Sequence, residues 1–308
     1  MKYIYRFADH LISVDSVHDE VHKLCSLYRV DVPTDTVQTG EIPLDSDNAF
    51  LQDFDAPVDF AVRTTQTDID FERARSEQSR ENPGFIPTDA YLETLAVYRK
   101  IAEKMPDYGT VLFHGSAIAV DGEAYIFTAK SGTGKSTHVR LWREMLGDRA
   151  VMVNDDKPLI RIAPKCPARV TEVEIPSDTA GDLNQRKETG NDVEKSPGIQ
   201  LADCTKERIM VYGTPWDGKH RLSTNIAVPV KAICILERGE TNRIEPIDVR
   251  QAMPMLLQQT YRPIDPLQMT KTLPLVDRLA AGTPLYRLHC NMDPDAARVA
   301  YEGMRKPG

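Results

Sequence analysis

The sequence contains no apolar run approaching the roughly 20 residues that a membrane-spanning helix requires. It also lacks any sustained run of lysine and arginine. With a formal net charge of -8 and a pI near 5.5, it has no stretch that could neutralise a string of phosphates, which argues against a nucleic-acid footprint. The opening residues, MKYIYRFADHLISVDS, alternate like a strand and carry charges, so the apolar segment of a secretory signal is missing. Cysteine is sparse: five residues (Cys25, Cys166, Cys204, Cys234, Cys290), odd in number and never in C-x-x-C spacing. That fits reduced thiols in a cytoplasmic protein rather than a disulfide framework or a cysteine zinc site. Internal repeats and low-complexity tracts are absent as well. What remains is an acidic globular chain of 308 residues, 41% hydrophobic and 27% charged, long enough to bury one large core or two modest ones.

Patterning divides the chain near residue 86. Residues 1–86 form a polar, aspartate-rich region whose short apolar runs (YIYRF, HLISV, FAVRT) predict small strands joined by loops, with ARSEQSRENPG as a connector. Thr88 and Asp89 then offer N-cap chemistry to a helix over AYLETLAVYRKIAEKM. TVLFHGSAIAVDGEAYIFTA reads as two β-runs separated by the hairpin signal Asp121-Gly122. RAVMVNDDKPLIRI reads as a strand ending on two carboxylates, after a helix stopped by Gly147. A polar stretch from Pro176 to Lys206 has no period and is a loop or lid candidate. Beyond it, RIMVYG, VPVKAICIL with NRIEPI as a pair, and PLYRLHC predict strands. VRQAMPMLLQQ, DPLQMTKTLPLVDRLAAG and a closing segment from Pro294 predict helices, with Met253, Met255, Leu256 and Leu257 in the core.

One stretch carries chemistry: IFTAKSGTGKSTHVRLW. Ala129, the four residues Lys130 to Thr133, then Gly134, Lys135 and Ser136 satisfy the general P-loop spacing of Gly or Ala, four residues, Gly, Lys, and Ser or Thr. A chain of this size would show that pattern by accident roughly 2 times in 100, and the strand before it and helix after it reduce the odds further. Gly132 and Gly134 let backbone N–H groups turn inward around phosphate oxygens, and the helix from Lys135 aims its positive dipole end at them. Lys135 would neutralise the β/γ-phosphates of ATP and the Ser136 hydroxyl would ligate Mg²⁺. Lys130, Ser131 and Thr133 contribute backbone, and Thr137 completes the first helical turn. The alternative is a plain glycine-rich turn. Asp155 and Asp156 follow about twenty residues after Lys135, where a strand beside the loop would deliver them to the γ-phosphate. Neighbouring side chains diverge in a strand, so both can act only if the chain bends there; otherwise they belong to a solvated turn before Lys157-Pro158.

FHGSAIAVDGEAYIFTAKSGTGKST and VNDDKPLI together resemble the catalytic core of the HPr kinase/phosphorylase family, relatives of phosphoenolpyruvate carboxykinase. The likeness covers roughly residues 110 to 165 and extends more loosely to about 250, while YGTPWDGKHRLSTN resembles a segment of bacterial HPr-kinase-like proteins. The resemblance implies an α/β P-loop core over 87–308 with a largely antiparallel mixed sheet flanked by helices, beside the small N-terminal β-rich region. It implies phosphoryl transfer to a serine hydroxyl and, from the family's hexamers, a homo-oligomer. Asp155 takes the general base from its family counterpart, leaving Asp156 with Ser136 for the metal, although the two aspartate roles could be exchanged. His114 matches the family's histidine before the loop; on sequence alone it reads as a hydrogen-bonded core residue. Ala129 replaces a glycine, and Tyr212-Gly213-Thr214-Pro215 replaces an arginine-bearing element that contacts the transferred phosphate. Lys219 or Arg221 is the candidate for that missing charge, and Trp216 either covers a bound group or packs.

The expectation is therefore an ATP- and Mg²⁺-dependent kinase acting on a hydroxyl of a protein, peptide or small molecule, with no nucleic-acid or membrane partner. A nucleotide-binding switch or slow ATPase is the rival. A carboxykinase-like enzyme ranks third, for want of a second set of His, Lys and Asp metal ligands.

Overall fold

The computed structural model describes residues 1–30, 58–78, 86–163, 207–218 and 221–305. The Pro176–Lys206 stretch, Cys166, Cys204 and Lys219 lie outside them. The protein is a mixed α/β structure in which a small N-terminal sheet packs beside a nine-stranded mixed sheet flanked by helices.

The N-terminal sheet contains β1 (Lys2–Phe7), β2 (His10–Asp15) and β3 (Phe60–Arg63), with β1–β2 antiparallel and β2–β3 parallel. The helix α1 (Glu20–Leu24) follows β2. Next comes α2 (Gln66–Gln78), which runs through the first half of the expected connector. It was illegible by period because only Ile69 is fully buried along it. Its polar face is instead paired to the next helix, Glu72 to Arg99 at 2.6 Å and Asp68 to Lys100 at 2.8 Å. That partner is α3 (Asp89–Lys104), capped as predicted by the Thr88 hydroxyl, which accepts from the Tyr91 N–H.

In the large sheet, the run predicted as one strand from 110 breaks at His114-Gly115 into β4 (Thr110–Leu112) and β5 (Ser116–Val120). A Cβ on Gly115 would stand 2.9 Å from the Phe127 carbonyl oxygen and 3.0 Å from the Phe113 ring, so the close approach there requires glycine. The hairpin turn Asp121-Gly122, both at positive φ, leads to β6 (Glu123–Thr128). Then follow α4 (Lys135–Leu146), β7 (Ala150–Asn154), β8 (Leu159–Ala163), β9 (Arg208–Tyr212) and β10 (Ala227–Arg238). The chain continues through β11 (Arg243–Pro246), α5 (Val249–Gln259), α6 (Pro266–Gly282) and β12 (Leu285–Cys290) to end its described part in α7 (Asp295–Arg305).

Strand order is β4-β8-β9-β10-β6-β5-β7, with β12 on β10 and β11 on β12; six of the eight pairings are antiparallel. One expectation needs correction. β10 and β11 are both strands but do not pair, because β12 lies between them. The strand expected beside the glycine-rich turn, β7, does end near it, although β5 separates β7 from β6 in the sheet. Alternation along β6 explains the layering: Ala124 and Ile126 face one core with α5 and α6, while Tyr125 and Phe127 face another with α4 and α7. Leu256 is fully buried in the first of these cores, with Met253, Met255 and Leu257 packed against it.

A third core joins the N-terminal sheet to the rest: Tyr5, Phe7, Val14 and Phe60 pack with Val97 and Ile101 of α3, Leu159 and Trp216. Glu93 completes that junction. Its buried carboxylate accepts from the backbone N–H groups of Val17 and His18 and from His18 Nδ1, each at 2.7 Å, and from the Thr64 hydroxyl. Among the described residues no helix is long and apolar enough to cross a membrane. Among the described residues Cys25, Cys234 and Cys290 are free thiols, and burial pushes all three up in pKa.

Burial raises the Glu93 carboxyl, but its four donors more than offset this and hold it below the ordinary range. A folded-state pKa below the unfolded one contributes stability above the unfolded value, near pH 4.3, that is lost as pH falls through the folded one. Glu93→Gln should cost on the order of 3 kcal/mol at pH 7. In urea titrations its deficit against the unsubstituted protein should shrink on acidification through pH ~4 and below; a deficit independent of pH would contradict this.

Candidate functional site

β6 ends at Thr128, and the next six residues turn the chain into α4 with two glycines in left-handed conformations, Gly132 at φ 75° and Gly134 at φ 116°. No atom lies within 4 Å of a Cβ built at either position. Backbone conformation, then, is what demands glycine here. The turn is held from inside by Thr133, whose N–H and hydroxyl both donate to the Lys130 carbonyl oxygen at 3.2 and 2.8 Å. Across from it, Arg238 at the end of β10 donates to the Gly132 carbonyl at 2.6 Å. Gly134 is the N-cap of α4 and makes no side-chain cap, so the opening N–H groups of the helix have no intrahelical acceptor. Lys135 is half-buried at that positive end, and burial lowers its pKa against the opposing pull of Asp156. The ammonium is thus short of negative charge.

The acidic pair arrives from β7, and the bend that the sequence left open is present. Asn154, fully buried, makes it. Its side-chain oxygen accepts from the Asp156 and Lys157 N–H groups at 2.8 and 2.6 Å, an Asx turn that swings the chain back on itself. Its amide nitrogen donates to the Thr214 carbonyl and hydroxyl at 3.1 and 3.0 Å. The segment after β9 reaches this point because Gly213 has no side chain: a Cβ there would fall 1.8 Å from the Thr224 carbonyl oxygen and 2.7 Å from that of Val153.

The two carboxylates then face different partners. Asp155 is 8% exposed, its Oδ1 accepting from the Gly218 N–H. Burial is the main cause of its raised pKa, reinforced by Asp217 and Asp156 and opposed by the Gly218 N–H. Glycine is required at 218 too, since a Cβ would sit 2.6 Å from the Asp155 Oδ2. Asp156 pairs with His114 Nε2 at 3.2 Å and with the Lys157 ammonium. Burial pushes its carboxyl up, but those two groups win and hold it far below the usual carboxylate range.

Ser136, Thr137 and Asp155 line one cavity of about 330 Å³ between α4 and β7. The structure therefore brings Lys135 and His114 toward Asp156, and Ser136 and Thr137 toward Asp155. Ser131, Gly132, Thr133 and Gly134 lie in the turn itself. Arg221 is held at φ 47° with its N–H on the Gly218 carbonyl at 3.2 Å; the adjacent Leu222, not Arg221, lines the cavity. Trp216 is a packing residue. It is 5% exposed, stacked on Tyr98 at 4.1 Å, and donates its indole N–H to the Thr94 carbonyl at 2.8 Å.

Reading the sequence missed Asn154, Gly218 and Arg238. Only Asn154 carried a signal, as an Asn preceding two turn-forming residues. For a hard cation, the hydroxyl of Ser136 and the carboxylates of Asp155 and Asp156 are oxygen donors of the class Mg²⁺ takes. The crowded negative charge at Asp155 is what such an ion would relieve. Among the described residues no group of three or more His, Cys, Asp or Glu side chains forms a metal cage.

No family model matches the chain, and no curated protein matches it.

Asn154→Ala would leave two backbone N–H groups and the Thr214 carbonyl without their partner. A loss of about 3–5 kcal/mol is expected, read from the urea midpoint. It should be accompanied by altered near-ultraviolet circular dichroism from Trp216, because the 214–216 segment loses its tether.

Proposed function

We propose that the protein is an ATP-dependent, Mg²⁺-requiring kinase that transfers the γ-phosphoryl group to a hydroxyl. The observation carrying this reading is that an under-neutralised lysine at a bare helix N-terminus faces a bent pair of aspartates, one of which shares a cavity with the helix's first serine. A helix N-terminus with inward N–H groups favours phosphate. The likeness of residues 110 to 165 to the HPr kinase/phosphorylase core supports the same assignment.

In this reading the amides around Gly132 and Gly134 and the Lys135 ammonium hold the phosphate chain. Asp155, on the cavity side, accepts the proton of the acceptor hydroxyl as its oxygen bonds to the γ-phosphorus. The bond from that phosphorus to the β–γ bridging oxygen breaks, and ADP leaves with the electron pair. Mg²⁺, held by Ser136 and Asp156, would neutralise charge on the phosphate oxygens. His114 orients Asp156 through its 3.2 Å contact. Arg221, whose N–H meets the Gly218 carbonyl, supplies further positive charge; Lys219, the other candidate, lies outside the described residues. Most of the acceleration then comes from positioning and charge neutralisation. One observation favours the rival switch: both carboxylates already have protein donors, Gly218 for Asp155 and His114 with Lys157 for Asp156.

Three variants separate the readings. Lys135→Ala should weaken binding of a fluorescent ATP analogue by about 100-fold. Asp155→Asn should retain nucleotide but lower transfer to acceptor hydroxyls by about 10² to 10⁴, measured by mass spectrometry of cell extract treated with protein and ATP. Arg221→Ala should cut transfer by up to about 10³ if Arg221 supplies the missing charge. Tight nucleotide binding with no phosphorylated product from the unsubstituted protein would favour the switch.

A further inference from the structure

The cavity shared by Ser136 and Asp155 extends along α4 as far as Arg143. Arg140 and Arg143, both exposed, also line it, together with the apolar side chains of Val139, Met152 and Leu222. Ser136, Arg140 and Arg143 recur at positions i, i+4 and i+7, so they share one helix face. At 1.5 Å per residue the two arginines stand roughly 6 and 10 Å along the axis from Ser136, and long helical side chains lean back toward the N-terminus. Arg140 is committed in part to Glu144 at 2.7 Å. Arg143 has no ion-pair partner among the described residues. The open cavity is thus lined by the Asp155 carboxylate, a guanidinium without an ion-pair partner among the described residues, and three apolar side chains. Its volume of about 330 Å³ suits a small molecule.

We propose that the phosphoryl acceptor is a small hydroxyl-bearing acid, its hydroxyl at Asp155 and its carboxylate or phosphate gripped by Arg143 with Arg140. This rests on the kinase reading above and names the substrate class for it. The polarity of the cavity fixes the orientation: an anionic group is repelled by Asp155 and attracted by the arginine fork, so only the hydroxyl end approaches the γ-phosphorus. The bond made and the bond broken are those of the transfer described above, and the acid group is a spectator.

Matched pairs test this on the full chain with Mg²⁺ and a non-hydrolysable ATP analogue. The probes are 4-hydroxybutyrate against 1,4-butanediol, 6-hydroxyhexanoate against 1,6-hexanediol, and glycerol 3-phosphate against glycerol, titrated by ligand-observed NMR. The carboxylate pairs and the phosphate pair distinguish which acid is preferred. At least one anionic member should bind about 10- to 100-fold more tightly than its neutral partner. Arg143→Ala should bring that ratio to about one, and Arg143→Lys should keep part of it, because a lysine retains the charge without the fork. If the analogue binds while every anion binds no better than its neutral partner, or the preference survives Arg143→Ala, this inference is overturned and the kinase reading stands. If the analogue itself fails to bind, the kinase reading falls and takes the inference with it.

Discussion

The carboxamide of Asn154 is the interaction on which the site depends. Five hydrogen-bonding groups meet on one buried side chain: two N–H groups of the acidic turn on its oxygen, and Thr214 carbonyl, Thr214 hydroxyl and Trp216 carbonyl on its nitrogen. No other residue type presents an acceptor and a forked donor on so short a stem. Aspartate would offer only acceptors to the 214–216 segment. Once this amide is in place, the turn cannot extend the strand, and the two carboxylates are forced out of the simple up-and-down alternation of β7. Everything that distinguishes Asp155 from Asp156 follows from that bend.

The two acids have contrasting electrostatic settings within one residue of each other. Asp156 sits among His114, Lys157 and the field of Lys135, and stays ionised under most conditions. Asp155 is desolvated next to Asp217, with the Gly218 N–H as its main backbone donor. Pairs of titratable groups whose surroundings push them apart are a recurrent mark of acid–base sites, though ordinary ion-pair networks also produce them. The helix N-terminus at Gly134 and the half-buried Lys135, which Asp156 attracts, add positive charge near this pair. The glycines at 132, 134, 213 and 218 serve two separate needs: the first two allow left-handed backbone, the last two allow other atoms to approach where a Cβ would stand.

Local chemistry made much of this readable from the sequence. The turn from β6 into α4 is encoded by glycine and lysine at fixed spacing, and the Asp121-Gly122 hairpin by residues that accept positive φ. Thr88 announced α3 for the same reason: a cap acts on its own first turn. What escaped depends on distant partners. α2 buries little beyond Ile69 and is fastened to α3 largely by ion pairs, which link residues some 30 positions apart. The placement of β5 between β6 and β7, and of β12 between β10 and β11, is a matter of sheet order that strand pattern does not carry. Gly218 and Arg238 looked unremarkable because their roles are defined by Asp155 and Gly132, each reached only through the tertiary fold.

The twelve-residue strand β10 ties the molecule together in a way its length alone suggests. Its first residues run antiparallel to β9, its middle runs parallel to β6 and its final part parallel to β12, with a register shift between Val230 and Ala232 where allegiance changes. Neither half of the sheet can therefore melt alone without stripping the other of a neighbour, so the two should open as one cooperative unit. Since Arg238, the strand's last residue, grips the Gly132 carbonyl, any tilt of this tie-rod is felt directly at the glycine turn.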